Sequence, residues 1–377
     1  MSSISVGVLG ATGLVGQSFI LLLSSHPFFR LTTLGASPAS AGLAYSKAVE
    51  NKWKQSTCIP SSVQAIKLHE CKPEHFSSCQ IVFSGLDADV AGDIESAFRA
   101  ANIAVFSNAK NHRRDPSVPL LVPLVNPHHL SILPHQRSLH TPPLQKGFIV
   151  TNANCSTTAL VVPLSALQSR FGPIDQVIVT TMQAISGAGY PGVSAIDILD
   201  NVVPYISGEE EKMEWETLKI LGGIAEDGKS FDNHSAHPIK VSASCNRVPV
   251  HTGHIMTASV KFAKHPPPSI DEVLKAFDEY VPPYLPQSHP SFNASASDLS
   301  KIIPTAPPKA IHIHTTPNRP QPLLDRHLDK GASVSVGRVR ECGVLDVKFV
   351  VLGNNVAIGA ATSSVINAEI ALARGYI

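Results

Sequence analysis

The feature that most constrains the fold lies near the start of the chain. A short apolar run, ISVGVLG at residues 4 to 10, passes through Gly10-Ala-Thr-Gly13-Leu-Val-Gly16 into a longer apolar segment from Gly13 to Leu23. An apolar run that ends in glycine and is followed by a helix-length segment reads as strand, tight turn, helix. The pattern recurs: Leu31 to Ala36, Gln80 to Ser84 and Ile103 to Ser107 are similar short runs, and Asp89 to Ala101 between the last two has helical spacing. Strands alternating with helices build a doubly wound parallel sheet, the Rossmann-type α/β fold.

The second half has a different character. Asn126 to Gly147 is rich in Pro and His and reads as a surface loop before a strand at Phe148 to Asn152. Beyond it the apolar runs lengthen and alternate, at Gln176 to Gln183, Lys240 to Cys245, His254 to Phe262 and Asp346 to Leu352. That predicts an α+β unit with a mixed sheet. Ser269-Ile-Asp-Glu272 is a capping box, so a helix is expected to start there. Pro282 to Pro322 is Pro-rich yet carries interspersed apolar residues, which predicts an ordered, irregular excursion. A chain of 377 residues exceeds what one core organises.

Composition excludes several classes of partner. Thirty Lys and Arg stand against 29 Asp and Glu, so no global field draws the chain to nucleic acid or to an anionic membrane. No run of about 18 apolar residues predicts a span, and the opening residues lack a basic leader and an apolar signal core. Six scattered cysteines, Cys58, Cys71, Cys79, Cys155, Cys245 and Cys342, have neither disulfide density nor zinc spacing. They are expected to be reduced thiols in a cytoplasmic protein, where the sequons at Asn233 and Asn293 are without meaning.

Four segments carry chemistry. In Gly10 to Gly16 the glycines let backbone approach a pyrophosphate, and the helix start adds free N–H groups with a partial positive charge. An acid that would bind the ribose hydroxyl of NAD is missing where the next strand ends, at Gly35-Ala36-Ser37-Pro38-Ala39-Ser40; hydroxyls there favour the 2′-phosphate of NADP. In Thr151-Asn-Ala-Asn154-Cys155-Ser-Thr-Thr158 a thiol stands at a helix N-terminus, where the helix dipole stabilises a thiolate and free N–H groups face a forming oxyanion. In Ser242 to His254, Arg247 is placed to grip a carboxylate and His254 to act as acid and base. Gly208-Glu209-Glu-Glu-Lys212 opens an amphipathic helix, where clustered acids ordinarily only complement the dipole. His312 and His314 lack an evident third ligand, so no metal is expected.

Together these segments resemble the aspartate-semialdehyde dehydrogenases, in the fungal and archaeal form, over essentially the whole chain. The resemblance is carried by GATGLVG, SNAKNHRRDPSVPLLVPLVN, TNANC, QAISGAG, GEEEKM and NRVPVHTGH in that order. It implies Cys155 as nucleophile, His254 as acid and base, and Gln183 as orienting the reacting group. It further implies Arg247 on the substrate carboxylate, Glu209 on its ammonium, and Arg113, Asn126, Asn154 and Lys212 around phosphate. Which of Glu209, Glu210 and Glu211 meets substrate stays open in so degenerate a run. For NADP it implies Gly10, Thr12, Gly13, Leu14, Val15, Ser37, Ser40, Ser84, Gly85, Ser186, Gly187 and Asn355. The expected division is an NADP-binding domain over 1–155, a catalytic and dimerisation domain over 156–354, and a tail helix over 355–377 packed back on the first. A homodimer or homotetramer follows from the resemblance, as does a place in threonine, methionine and isoleucine biosynthesis.

The nearest rival enzyme is an N-acetyl-glutamyl-phosphate reductase, whose substrate amine is acylated; a carboxylate at Glu209 favours the free ammonium of an aspartyl substrate. A non-catalytic dinucleotide sensor is the rival from another class, and Cys155, Arg247 and His254 together argue against it.

Overall fold

Seven parallel strands form the first sheet in a computed structural model, which describes residues 3–234 and 236–377; Ser235, the third residue of the Asn233 sequon, lies outside them. The strands are β1 (Ile4–Leu9), β2 (Phe29–Ala36), β3 (Leu68–Glu70), β4 (Ile81–Ser84), β5 (Ala104–Ser107), β6 (Leu120–Leu121) and β7 (Phe148–Asn152). Their order is β3-β2-β1-β4-β5-β7-β6. β4, β5 and β7 are buried at every position, as expected of strands covered on both faces, and this is why they read as unbroken apolar runs. Between β1 and β4 the order reverses direction, which opens a crevice at the carboxyl ends of the strands. Helix Leu14–Leu23 starts there and buries Gly16, Phe19, Ile20 and Leu23 on one stripe.

The remaining strands are β8 (Ile174–Gln183), the hairpin β9 (Gly223–Ile224) and β10 (Phe231–Asp232), β11 (Lys240–Arg247), β12 (His254–Phe262), β13 (Ile311–His314), β14 (Val334–Glu341) and β15 (Val347–Gly353). Six of them make a mixed sheet ordered β11-β8-β12-β15-β14-β13. β8 and β12 alternate buried and open residues, the mark of a sheet with one face on the core. Ser269 caps helix Ile270–Asp278 through both bonds of the capping box. The Pro282 to Pro322 stretch is more regular than expected: it holds helix Ala296–Ile302 and the edge strand β13. His312 and His314 sit on β13 and bond Asp329 and Ser335, and no cluster fit for a metal exists among the described residues.

Two helices join the sheets. Helix Cys155–Phe171 is buried nearly all round and packs against β12, β15 and helix Glu209–Leu221. The closing segment, a π-helical turn Ala357–Ala361 running into helix Thr362–Ala373, lies on β5, β7 and helix Leu14–Leu23. Buried amides hold it: Asn152 Nδ2 donates to Ala360 O (2.7 Å) and Ser364 Oγ (2.8 Å), and Asn367 Nδ2 donates to Asn152 Oδ1 (3.1 Å). Among the described residues no helix is long and apolar enough to cross a membrane.

Candidate active site

The glycine turn has no room for side chains. Gly10 is left-handed at φ +71°, and a Cβ on Gly16 would stand 2.2 Å from Gly10 O, so the helix can enter this close to β1 only as glycine. Gly13, the N-cap, is exposed and brings no side-chain cap, so the first N–H groups of the helix stay free for an anion. Thr12, Leu14 and Val15 are half-buried around it. Gln17, which the sequence did not single out, braces the turn: its amide donates to Thr12 O and Lys52 O, and its carbonyl accepts from Lys54 N–H.

Ser37 and Ser40 lie in the open turn after β2, with Ser37 exposed. Gly85 closes the crevice from β4, and Ser84 is wholly buried. The Ser84 side chain therefore does not reach the crevice, a correction to the expectation that it lines a cofactor site.

A cleft of about 550 Å³ runs from this turn to the second sheet, between Leu14 and Ser18 on one side and Ser186, Tyr190, Asn354 and Ala357 on the other. Ser186 Oγ accepts from Asn355 Nδ2 (2.9 Å), and Asn355 Oδ1 accepts from Gly253 N–H (2.9 Å). Five basic groups that sequence reading missed, Lys54, His251, Arg326, His327 and Lys330, also line it.

Behind the cleft stands Cys155, the first residue of its helix and half-buried. Asn154 caps that helix, its Oδ1 accepting from Ser156 N–H (3.0 Å) and Thr157 N–H (3.2 Å). Three residues from the second sheet converge here because the register aligns their strand ends: Gln183 ends β8 opposite Arg247 of β11, and His254 opens β12 beside them. Cys155 Sγ is 3.2 Å from His254 Nε2. His254 Nδ1 accepts from Ala184 N–H at 3.0 Å, so the neutral ring carries its one proton on Nε2, facing the sulfur. Burial, reinforced by the Arg247 charge, pulls His254 down to about 3, which keeps it neutral.

Arg247 Nη1 donates to Ala184 O (2.8 Å), and a Cβ on Gly187 would lie 2.9 Å from that nitrogen. A side chain at 187 would crowd both Arg247 and His254 where the turn Ile185–Ala188 passes over them. Glu209 faces the same space: it accepts from Lys212 Nζ (2.8 Å), Asn154 Nδ2 (2.7 Å) and Gln183 Nε2 (3.4 Å). The open choice within the acidic run narrows on this geometry. Glu210 instead bonds the backbone N–H of Cys245, and Glu209 is the buried member of the three. Arg113 donates to Glu216 Oε1 (2.7 Å) and Asn108 O (3.0 Å), and its Nε is a buried donor without a protein partner.

Asn126 is the second correction. It is fully buried; its amide donates to Leu120 O and to His129 Nδ1, and its carbonyl accepts from Val122 N–H. Both amide N–H groups are used within one loop, so it supports structure and has no donor left for phosphate.

The thiol departs from the helix-dipole expectation. Burial, then the Glu209 charge, push Cys155 up to about 12, against the weaker downward pull of Arg247 and Arg113. A helix N-terminus contributes about 0.3–1 kcal/mol, against about 4 kcal/mol for a rise from 9 to 12. The thiol is thus protonated in the resting protein, and its thiolate fraction grows with pH. Alkylation of Cys155 by iodoacetamide, counted against Cys155→Ser, is expected to accelerate about tenfold per pH unit from 7 to 9. A rate independent of pH over that range would contradict the burial argument.

One further contact is tight. A Cβ on Gly359, in the π-helical turn, would stand 2.8 Å from Cys155 Cβ. Gly359→Ala is therefore expected to displace the nucleophile and lower kcat about 10²-fold, with the cofactor KM nearly unchanged. Steady-state kinetics check it.

A dinucleotide-type sheet opening on a thiol held against an imidazole is the layout of an oxidoreductase that handles a carbonyl carbon covalently. The family described as "Semialdehyde dehydrogenase, NAD binding domain" matches residues 5–133, and "Semialdehyde dehydrogenase, dimerisation domain" matches residues 164–358. The chain belongs to the semialdehyde dehydrogenase family. It is 60% identical to an aspartate-semialdehyde dehydrogenase of Cryptococcus neoformans, over 99% of this chain and 98% of that one. An archaeal relative of the same description, from Archaeoglobus fulgidus, is 42% identical over 97% of each. The crystal structure of aspartate semialdehyde dehydrogenase with NADP from Candida albicans superposes with a TM-score of 0.88 at 49% identity, each chain fully covered.

Proposed function

We propose that this chain is an NADP-dependent aspartate-semialdehyde dehydrogenase that converts L-4-aspartyl phosphate to L-aspartate 4-semialdehyde through a thioester on Cys155. The observation that carries the reading is the convergence on one sulfur. His254 Nε2 lies 3.2 Å from Cys155 Sγ, while Arg247, Glu209 and Lys212 surround the same space. Arg247 suits the substrate α-carboxylate and Glu209 its ammonium, which favours an aspartyl substrate over an acylated amine. An ammonium beside Glu209 would also offset the charge that helps hold the thiol protonated.

The Cys155 sulfur attacks the acyl carbon as its proton passes to the departing phosphate; the C–S bond forms, the bond between the acyl carbon and the phosphate oxygen breaks, and phosphate leaves with that electron pair and the proton. Arg113, Asn154 and Lys212 hold that phosphate. NADPH, when bound, supplies the hydride for reduction of the thioester. His254 holds the oxyanion left by hydride addition through a hydrogen bond from its Nε2–H, and Gln183 orients that group. Collapse of the hemithioacetal restores the carbonyl and returns the electron pair to sulfur. The free N–H groups at Leu14 and Val15 suit the pyrophosphate of NADP, and the Ser37 and Ser40 hydroxyls suit its 2′-phosphate. Ser186, Gly187 and Asn355 border its nicotinamide end. The enzyme works in the cytoplasm as a homodimer or homotetramer.

The test is phosphate-dependent formation of NADPH from NADP and either L-aspartate 4-semialdehyde or the N-acetyl-glutamyl analogue. Turnover with the first supports the reading, and turnover confined to the second overturns it.

A further inference from the structure

Glu216 is wholly buried, two helical turns beyond Glu209 on the same helix, and nothing in the proposed chemistry uses it. A carboxylate taken out of water costs several kcal/mol, on the order set by its lost hydration, unless its oxygens are matched. Both are matched, to two different parts of the site. Oε1 accepts from Arg113 Nη1 at 2.7 Å, and Oε2 accepts at 2.6 Å from the backbone N–H of Asn154, the residue before Cys155. One carboxylate thus fixes the distance between a guanidinium and the turn that carries the thiol. The helix grips the Arg113 loop a second time through Lys219, whose Nζ donates to Arg113 O (2.8 Å), Asp115 O (2.9 Å) and Val118 O (2.9 Å). Nη1 and Nη2 each spend one N–H on Glu216 and Asn108 and keep a second, and Nε is a buried donor without a protein partner.

We propose that Glu216 is a positioning residue that acts through Arg113, holding the guanidinium in the orientation that delivers phosphate to the Cys155 thioester. This rests on the reading of Arg113 as a phosphate ligand. Gln at 216 is isosteric but has one acceptor and one donor end, so either Arg113 or the Asn154 N–H meets a donor instead of an oxygen. The carbonyl end can keep the Asn154 turn while Arg113 swings away.

In the aldehyde-oxidising direction E216Q is expected to lower phosphate-dependent kcat about 10²-fold. The first-turnover formation of NADPH without phosphate, which reports acylation of Cys155 alone, is expected to persist. R113Q/E216Q is expected to be no slower than R113Q, since the two residues act as one unit. Equal loss in both phases, or additive losses in the double variant, would overturn the proposal. If E216Q does not fold, E216D, which keeps the charge but withdraws it by one methylene, takes the same measurements. A wild-type protein without phosphate-dependent turnover would refute the parent reading instead, so the two failures are distinguishable.

Discussion

Cys155→Ser is expected to lower kcat by about 10³-fold or more while NADP binding stays unchanged. The geometry is preserved: a hydroxyl fits where the thiol stands, and the Asn154 cap and the Gly359 contact remain. What changes is the nucleophile. Burial and Glu209 already push the thiol up to about 12, and a hydroxyl under the same field ionises far less readily. A neutral His254 whose Nδ1 is taken by Ala184 N–H has no free lone pair on Nε2 with which to remove that proton. Cofactor fluorescence titration and stopped-flow absorbance separate the two effects. Turnover in the serine variant within tenfold of wild type, as an order of magnitude, would remove Cys155 from the reaction.

Arg247→Leu is expected to lower kcat/KM for the aldehyde about 10³-fold, the equivalent of about 4 kcal/mol in transition-state binding. The guanidinium is buried at the end of β11 and anchored by Ala184 O, so its remaining donors face the pocket at a fixed angle. A carboxylate that loses a desolvated guanidinium is left without a matched partner, which is costlier than losing a contact in water. Arg247→Lys should recover only part of the loss, because an ammonium cannot reproduce the bidentate fork. A KM change without a change in kcat/KM would contradict this assignment.

Much of this architecture was legible because single local rules dominated. The glycine turn, the capping box at Ser269 and the unbroken runs of β4, β5 and β7 each follow from one constraint on backbone or burial. β12, beginning at His254, was legible from alternation. The edge strand β13 escaped because only four residues of it stand amid prolines, and β14 because glycine and arginine interrupt its apolar pattern. Glu216 was hidden by its surroundings: in GEEEKMEWETLKIL it is one of several acids on a helix whose composition reads as solvated. Only the crossing of Arg113 and Asn154 from other elements singles it out. Asn126 misled in the opposite way, since a polar residue in a phosphate-type stretch proved to be a loop staple. The thiol was misread for want of burial, a quantity that only the packed structure supplies.

The most direct test is to mix the protein with NADP and L-aspartate 4-semialdehyde without phosphate, quench in acid, and identify the labelled peptide by mass spectrometry. A single-turnover burst of NADPH is expected, with the mass of one aspartyl group on the Cys155 peptide, discharged when phosphate is added. A burst without that label, or a label carried by any other residue, would contradict it.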